Sequence, residues 1–559
     1  MKYILLLSIA SIYILSCNPE QKYDVIIRNG TIYDGNGGQP YTADLAINAD
    51  TIAFIGDLKN SSSKRETDAG GMAIAPGFIN MLSHSEESLI QDGLSQSDLR
   101  QGVTLEVFGE SSMGPLNARM KKQAREGQQD IKYEVNWNTL GEYMNWLEKK
   151  GISCNIASFV GTGTIRAYVI GEGNTAPTPA QTDSMRMLVA QAMEEGAMGI
   201  TNALIYPPDF FSKTEELADL AKEVSKYGGM YTSHIRSEGS KLFEAVQELI
   251  YISRQTGIPV EIFHLKEAGK DNWGKLDSLV SIIEQARKEG IPVTADMYTY
   301  NRSATGLSAS FPPTLQDGGF DKLWHRLQNK TIRESMKKAM NTNSSEWENT
   351  YYQAGGASGV LLIGFKRDSL KKYIGKTLAE VAAIRGKTVE ETAMDLIVED
   401  STRIEVVYSS MNENNVKKEI ALPWVSFGSD AASAAPEGVF LLSSAHPRGY
   451  GNFARVIGKF VREEKALSLP FAIYKLSKLP ATNLRLVKRG ELKTGNYADI
   501  VVFDPKKVQD HATYEKPQQY ATGVAEVFVN GVQVIKNGEH TGARPGRFIK
   551  GPGFGKKLR

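Results

Sequence analysis

Eight short apolar runs, each passing into a polar loop and then an amphipathic stretch, occupy the middle of this 559-residue chain. They lie at 77–82, 103–108, 154–160, 198–202, 230–233, 259–263, 292–295 and 424–429. Runs this short, bounded by polar residues, read as strands rather than helices. The stretches between them carry helical spacing: Leu242, Val246, Leu249 and Ile250 share one face, as do Leu276, Leu279, Val280 and Ile283. Strand then helix, repeated, predicts an α/β fold with a parallel sheet, and eight repeats predict a closed (β/α)8 TIM-like barrel. The interval at about 300–422 is too long for one connection, so an inserted subdomain or lid is expected there.

Both ends of the chain read differently. Short strands separated by Gly, Asn and Asp turns fill 23–75, and a matching pattern returns at 485–545, as in Ala498-Asp499-Ile500-Val501-Val502-Phe503. The two ends are expected to build one small β-sandwich beside a hydrolase barrel spanning 76–480. No internal repeat or low-complexity tract is found.

Residues 1–17 form a third kind of segment. Lys2 precedes a mostly apolar stretch from Ile4 to Leu15, too short to span a bilayer and suited to a secretory signal. It closes in Ile14-Leu15-Ser16-Cys17, which resembles a bacterial lipobox. The expectation is a lipoprotein signal peptide, a lipidated Cys17, and a protein of the cell envelope facing the periplasm or exterior. A plain signal peptide with an incidental cysteine is the alternative. With Cys17 lipidated, only Cys154 remains, so no intramolecular disulfide can form. Charge is balanced, with 65 Lys+Arg against 64 Asp+Glu. That argues against a nucleic-acid partner, and against any membrane contact beyond the lipid anchor.

In barrels of this kind the catalytic groups stand at the C-terminal ends of the strands. The first candidate strand is followed by Ser83-His84, the second by Gly109-Glu110-Ser111, the fifth by His234, the sixth by His264, the seventh by Asp296 and the eighth by Asp430. Imidazoles and carboxylates gathered at one mouth suit zinc, which takes nitrogen and oxygen ligands. A lone strand-end histidine is more often a hydrogen-bonded structural residue; the joint pattern is what points to ligands. On this reading His234, His264 and Glu110 bind metal, Asp430 is a catalytic carboxylate and Asp296 supports a loop.

Several segments resemble the amidohydrolase superfamily, and within it the D-aminoacylase (N-acyl-D-amino-acid deacylase) family. They are Ala75-Pro76-Gly77-Phe78-Ile79-Asn80, Arg100-Gln101-Gly102-Val103-Thr104, Leu204-Ile205-Tyr206-Pro207-Pro208, Ser233-His234-Ile235-Arg236-Ser237-Glu238-Gly239, His264-Leu265-Lys266, Gly428-Ser429-Asp430 and His446-Pro447-Arg448. The resemblance implies that His234 and His264 hold a tightly bound zinc and that Asp430 is the general base. It also implies that Lys266, Tyr298 and Arg448 hold the substrate, with Arg448 pairing bidentately with a carboxylate.

Three departures modify what is implied. The family's His-x-His after strand one is Leu82-Ser83-His84 here, and leucine cannot bind metal. The family's bridging cysteine falls on Ser111, whose neighbour Glu110 is the better zinc ligand. Its histidine after strand three is Thr162. The expectation is therefore a single zinc ion on Glu110, His234 and His264, with His84 as a peripheral ligand or a hydrogen-bond donor behind the ligands. The implied reaction is hydrolysis of a small-molecule amide, the N-acyl group of a D-amino acid, with Asp430 moving the proton. The same site would serve a D-dipeptide or a cyclic amide such as a hydantoin. Leu82 and the missing cysteine also motivate a non-enzymatic alternative, a lipoprotein that binds a ligand at an impaired site. The sequence carries no signal for an oligomeric state.

Overall fold

The computed structural model describes residues 22–558. The expected leader and Cys17 lie outside the described residues. All eight apolar runs form strands: Phe78–Ser83, Val103–Phe108, Asn155–Ser158 with Val160–Gly161, Gly199–Ala203, Met230–His234, Val260–Ile262, Val293–Met297 and Val425–Phe427. Every pairing among them is parallel. The third run changes ladder at Phe159: the Phe159 amide donates to Phe108 O (3.0 Å), while Ser158 O accepts from Met198 N (2.9 Å). At the far side Ser83 bridges Ala431 in parallel, and Asp430 N donates to Leu82 O (2.9 Å), so the last strand lies beside the first.

Phe78–Ser83 and Val103–Phe108 are buried at every position, which is why these strands read as continuous apolar runs rather than alternating ones. Helices cover them. Leu242–Thr256 buries Leu242, Val246, Leu249 and Ile250, and ends at Gly257, whose φ of +69° closes the last turn at no steric cost. Leu276–Lys288 buries Leu276, Leu279 and Ile283, while Val280 is only half-buried. Each such leucine or isoleucine contributes roughly 1.5–3 kcal/mol relative to an exposed one.

The chain ends share one nine-stranded sheet, joined where Ala73–Pro76 pairs antiparallel with Ile500–Phe503. Beyond it, residues 546–551 run against the parallel strands: Gly546 N donates to Ile152 O (2.8 Å), Ile549 N to Ile156 O (2.8 Å), and Arg547 O accepts from Ile156 N (3.0 Å). Between Tyr298 and Pro423, three antiparallel strands, Ser303–Gly306, Val360–Gly364 and Glu405–Tyr408, carry a separate apolar cluster that includes Leu307, Phe311, Leu362 and Ile397. Ser237 Oγ donates to Glu348 Oε2 (2.7 Å), tying this region to the loop after His234. Among the described residues no helix is long and apolar enough to cross a membrane.

Candidate metal centre

Strand ends bring His84, Glu110, His234, His264 and Asp430 to one place. His234 is the last residue of Met230–His234 and the others leave their strands within a few residues. Three of the five have a left-handed backbone: Glu110 (φ +64°), His264 (φ +39°) and Asp430 (φ +49°). Such a conformation costs a non-glycine residue about 1–3 kcal/mol and persists only where the surroundings enforce it. Each is pinned through its own amide: Glu110 N donates to Thr201 Oγ1 (2.9 Å), His264 N to Asp296 Oδ1 (2.9 Å) and Asp430 N to Leu82 O (2.9 Å). Asp296 thus supports a loop, as expected.

Glu110 Oε1 lies 2.9 Å from His234 Nδ1 and 2.8 Å from His264 Nε2. The two imidazoles meet nearly edge to face, with ring centroids 4.4 Å apart. The other carboxylate oxygen, Glu110 Oε2, faces His84 Nε2 at 3.6 Å, and His84 Nε2 lies 3.0 Å from Asp430 Oδ1. One donor atom each from Glu110, His234 and His264 falls within 4.8 Å of the others, and the same holds for His84, Glu110 and Asp430. Behind His264, its Nδ1 lies 3.0 Å from Glu238 Oε1 and 2.8 Å from Lys266 Nζ. Lys266 is itself ion-paired with Glu238. A carboxylate at Nδ1 orients the ring and leaves Nε2 free to bind.

The electrostatics favour a cation among these carboxylates. Burial pushes the Glu110 carboxyl up, yet its hydrogen bonds to His234 and His264 hold it well below the usual carboxylate range. Burial and Lys266 push the His264 imidazole down, but Asp430, Glu238 and Glu110 together raise it to about 10. His84 is raised to about 9 against its burial, chiefly by Asp430 and Glu110. Carboxylates this dense demand positive charge, which imidazolium protons provide and a divalent ion would replace. Two imidazole nitrogens and a carboxylate oxygen converging on one point fit a zinc-type ion with an open position.

The remaining residues of interest divide. Arg448 is buried, with Nη1 ion-paired at 2.7 Å to Asp430 Oδ2 and its guanidinium carbon 4.5 Å from the Tyr298 ring centre; its Nε lacks a hydrogen-bond partner. Burial raises the Asp430 carboxyl, but Arg448, His264 and His84 outweigh it and keep the group below its ordinary value, hence ionised. Tyr298 OH donates to Met411 Sδ (3.3 Å), and the Lys266 ammonium donates to Glu238 and to the His264 carbonyl (2.8 Å). Leu82 packs with Phe159 and Phe263 in an apolar cluster. Ser111 is exposed, while the neighbouring Glu110 turns inward. Thr162 donates to Asp209 Oδ1 (2.6 Å), and Cys154 is a buried free thiol. From the sequence Glu238 is given no role of its own, although it stands four positions after His234 in the segment Ser233 to Gly239.

A family model described as "Amidohydrolase family" matches residues 65–535. The D-aminoacylase of Alcaligenes xylosoxydans xylosoxydans is 30% identical over 96% of this chain and 99% of its own length. The N-acyl-D-glutamate deacylase of the same organism is 29% identical over 95% of this chain and 97% of its own. The crystal structure of N-acyl-D-glutamate deacylase from Bordetella bronchiseptica, complexed with zinc and a phosphonate mimic of the tetrahedral intermediate, superposes with a TM-score of 0.78. It is 28% identical and covers 95% of this chain and all of that one.

Proposed function

Because the chain belongs to the amidohydrolase family, we propose that it is a metal-dependent hydrolase cleaving N-acyl-D-amino acids to a carboxylic acid and a free D-amino acid. The observation that carries this is the meeting of His234 Nδ1 and His264 Nε2 on Glu110 Oε1, at 2.9 and 2.8 Å, beside the His84–Asp430 pair. A single zinc ion held by Glu110, His234 and His264 would polarise the amide carbonyl and lower the pKa of a bound water. Asp430, ionised, would accept the proton of the attacking water and return it to the leaving amine nitrogen. His84 orients Asp430 through the contact at its Oδ1. Arg448, paired with Asp430 through Nη1, keeps a buried Nε without a hydrogen-bond partner and is offered to the carboxylate of the amino-acid part. Lys266 acts through His264 and Glu238.

The eight parallel strands, with the last beside the first, support a closed (β/α)8 barrel covered by the insert, and the nine-stranded sheet supports a small sandwich built from both ends. The apolar leader closing in Cys17 supports an envelope lipoprotein acting on amides outside the cytoplasm.

Zinc analysis, combined with release of free amino acid from N-acetyl-D-amino acids, their L enantiomers, D-dipeptides and a hydantoin, tests the reading. Zinc-dependent release from the acyl-D substrates is expected. Turnover confined to dipeptides or cyclic amides would move the substrate assignment, and a zinc-loaded protein inert toward all of them would remove it.

A further inference from the structure

Two tyrosine rings near the candidate metal centre each carry a guanidinium. One is the Tyr298 ring under Arg448, whose charge is paired with Asp430. The other has no role so far: the Arg403 guanidinium carbon lies 4.8 Å from the centre of the Tyr206 ring. That ring in turn meets the His234 imidazole edge to face, with centroids 5.5 Å apart. Tyr206 follows the parallel strand Gly199–Ala203, while Arg403 belongs to the insert and precedes its strand Glu405–Tyr408. Arg403 Nη2 donates to Thr305 Oγ1 (2.8 Å), which also hydrogen-bonds the Tyr206 hydroxyl (2.6 Å). Gly306 leaves the room this side chain needs, because a Cβ there would come within 2.8 Å of Arg403 Cβ and 3.0 Å of its Nε. The next residue, buried Ile404, has a left-handed backbone (φ +54°), which a β-branched residue adopts only under constraint.

Although so positioned, Arg403 is exposed, and the one hydrogen-bond partner of its side chain among the described residues is the neutral Thr305 hydroxyl. Burial raises the Glu405 carboxyl and Arg403, two residues back, partly offsets this through space, without forming an ion pair with it. Burial also pushes the Tyr206 phenol up, Arg403 opposes this, and Glu110 pushes it further, so the ring feels both the guanidinium and the metal centre. Resting on the deacylase reading above, we propose that Arg403 determines specificity by binding a second carboxylate of the substrate, so that the preferred N-acyl-D-amino acid is a dianion. Arg448 takes the α-carboxylate beside Asp430; Arg403, on the His234 side, takes an acid further along the molecule. A planar guanidinium matches a carboxylate in shape as well as charge, and stacking on Tyr206 leaves its N–H edge free apart from the bond to Thr305. The second acid belongs either to the amino-acid side chain, as in glutamate or aspartate, or to the acyl group, as in a succinyl amide; both present the same group.

The test compares kcat/KM of the zinc-loaded full chain on N-acetyl-D-leucine with that on N-acetyl-D-glutamate, N-acetyl-D-aspartate and N-succinyl-D-leucine. Wild-type protein is expected to favour at least one dianionic substrate by roughly tenfold or more, by a margin that shrinks as salt is raised. The favoured arm tells which end carries the acid. Arg403→Met should lower kcat/KM for that substrate roughly 10–100-fold more than for N-acetyl-D-leucine, mostly through KM. Arg403→Glu should turn the preference toward N-acetyl-D-leucine. A wild-type protein that deacylates without preferring a dianion overturns the proposal and leaves deacylation standing. An equal fall on all substrates in Arg403→Met, as loss of a merely structural contact with Tyr206 would give, does the same. A protein inert toward every substrate removes the deacylase reading, and this inference with it. Should neither variant fold, the wild-type preference and its salt dependence decide alone.

Discussion

The Arg448 guanidinium rests 2.7 Å from Asp430 Oδ2, so the proposed base is held ionised by the same side chain that is offered to the substrate. This pairing fixes the direction of a pH effect. Asp430 has a folded-state pKa below its ordinary value, so it is a competent base above that pKa and loses competence as pH falls through it. Replacing Arg448 by Met removes the nearby positive charge and raises that pKa. The acid limb of kcat/KM should therefore move to higher pH, and KM should rise; an unmoved limb in a pH–rate profile would dissociate Arg448 from the base.

Asp430→Asn keeps the shape of the side chain and removes its basicity. The expected loss in kcat is about 10²–10⁴-fold, with zinc content unchanged, as measured by steady-state kinetics beside metal analysis.

Glu238→Gln tests the orienting of His264. Its carboxylate meets His264 Nδ1 at 3.0 Å and also pairs with Lys266. Weakening such an outer partner costs roughly 10–100-fold in metal affinity, which competition with a chelator would read directly.

Leu82 occupies the position where a histidine ligand is expected, and it packs with Phe159 and Phe263 instead. Leu82→Ala should cost about 2–5 kcal/mol of stability in denaturant unfolding while leaving zinc stoichiometry unaltered. A loss of zinc without loss of stability would contradict the packing role.

The eight strands were legible because parallel strands covered on both faces leave uninterrupted apolar runs. The proposed ligands were legible because each closes such a run: His234 and His264 follow their runs directly, and Glu110 stands beside the serine that replaces a cysteine. What escaped the sequence depends on partners distant along the chain. Glu238 is one loop carboxylate among many until the fold sets it against His264. Residues 546–551 dock through backbone hydrogen bonds, which impose no side-chain periodicity. Glu106 sits within an apolar run, and only the fold shows that Ser83, the residue before His84, donates to its carboxylate.

The antiparallel pairing of Ala73–Pro76 with Ile500–Phe503 has a bearing on biosynthesis. A strand made at the outset waits for a neighbour that emerges only when translation is nearly complete, and closing so long a loop is slow. Until then the early strands present an open edge to other nascent chains. The growing polypeptide must be shielded from self-association until its last strands arrive.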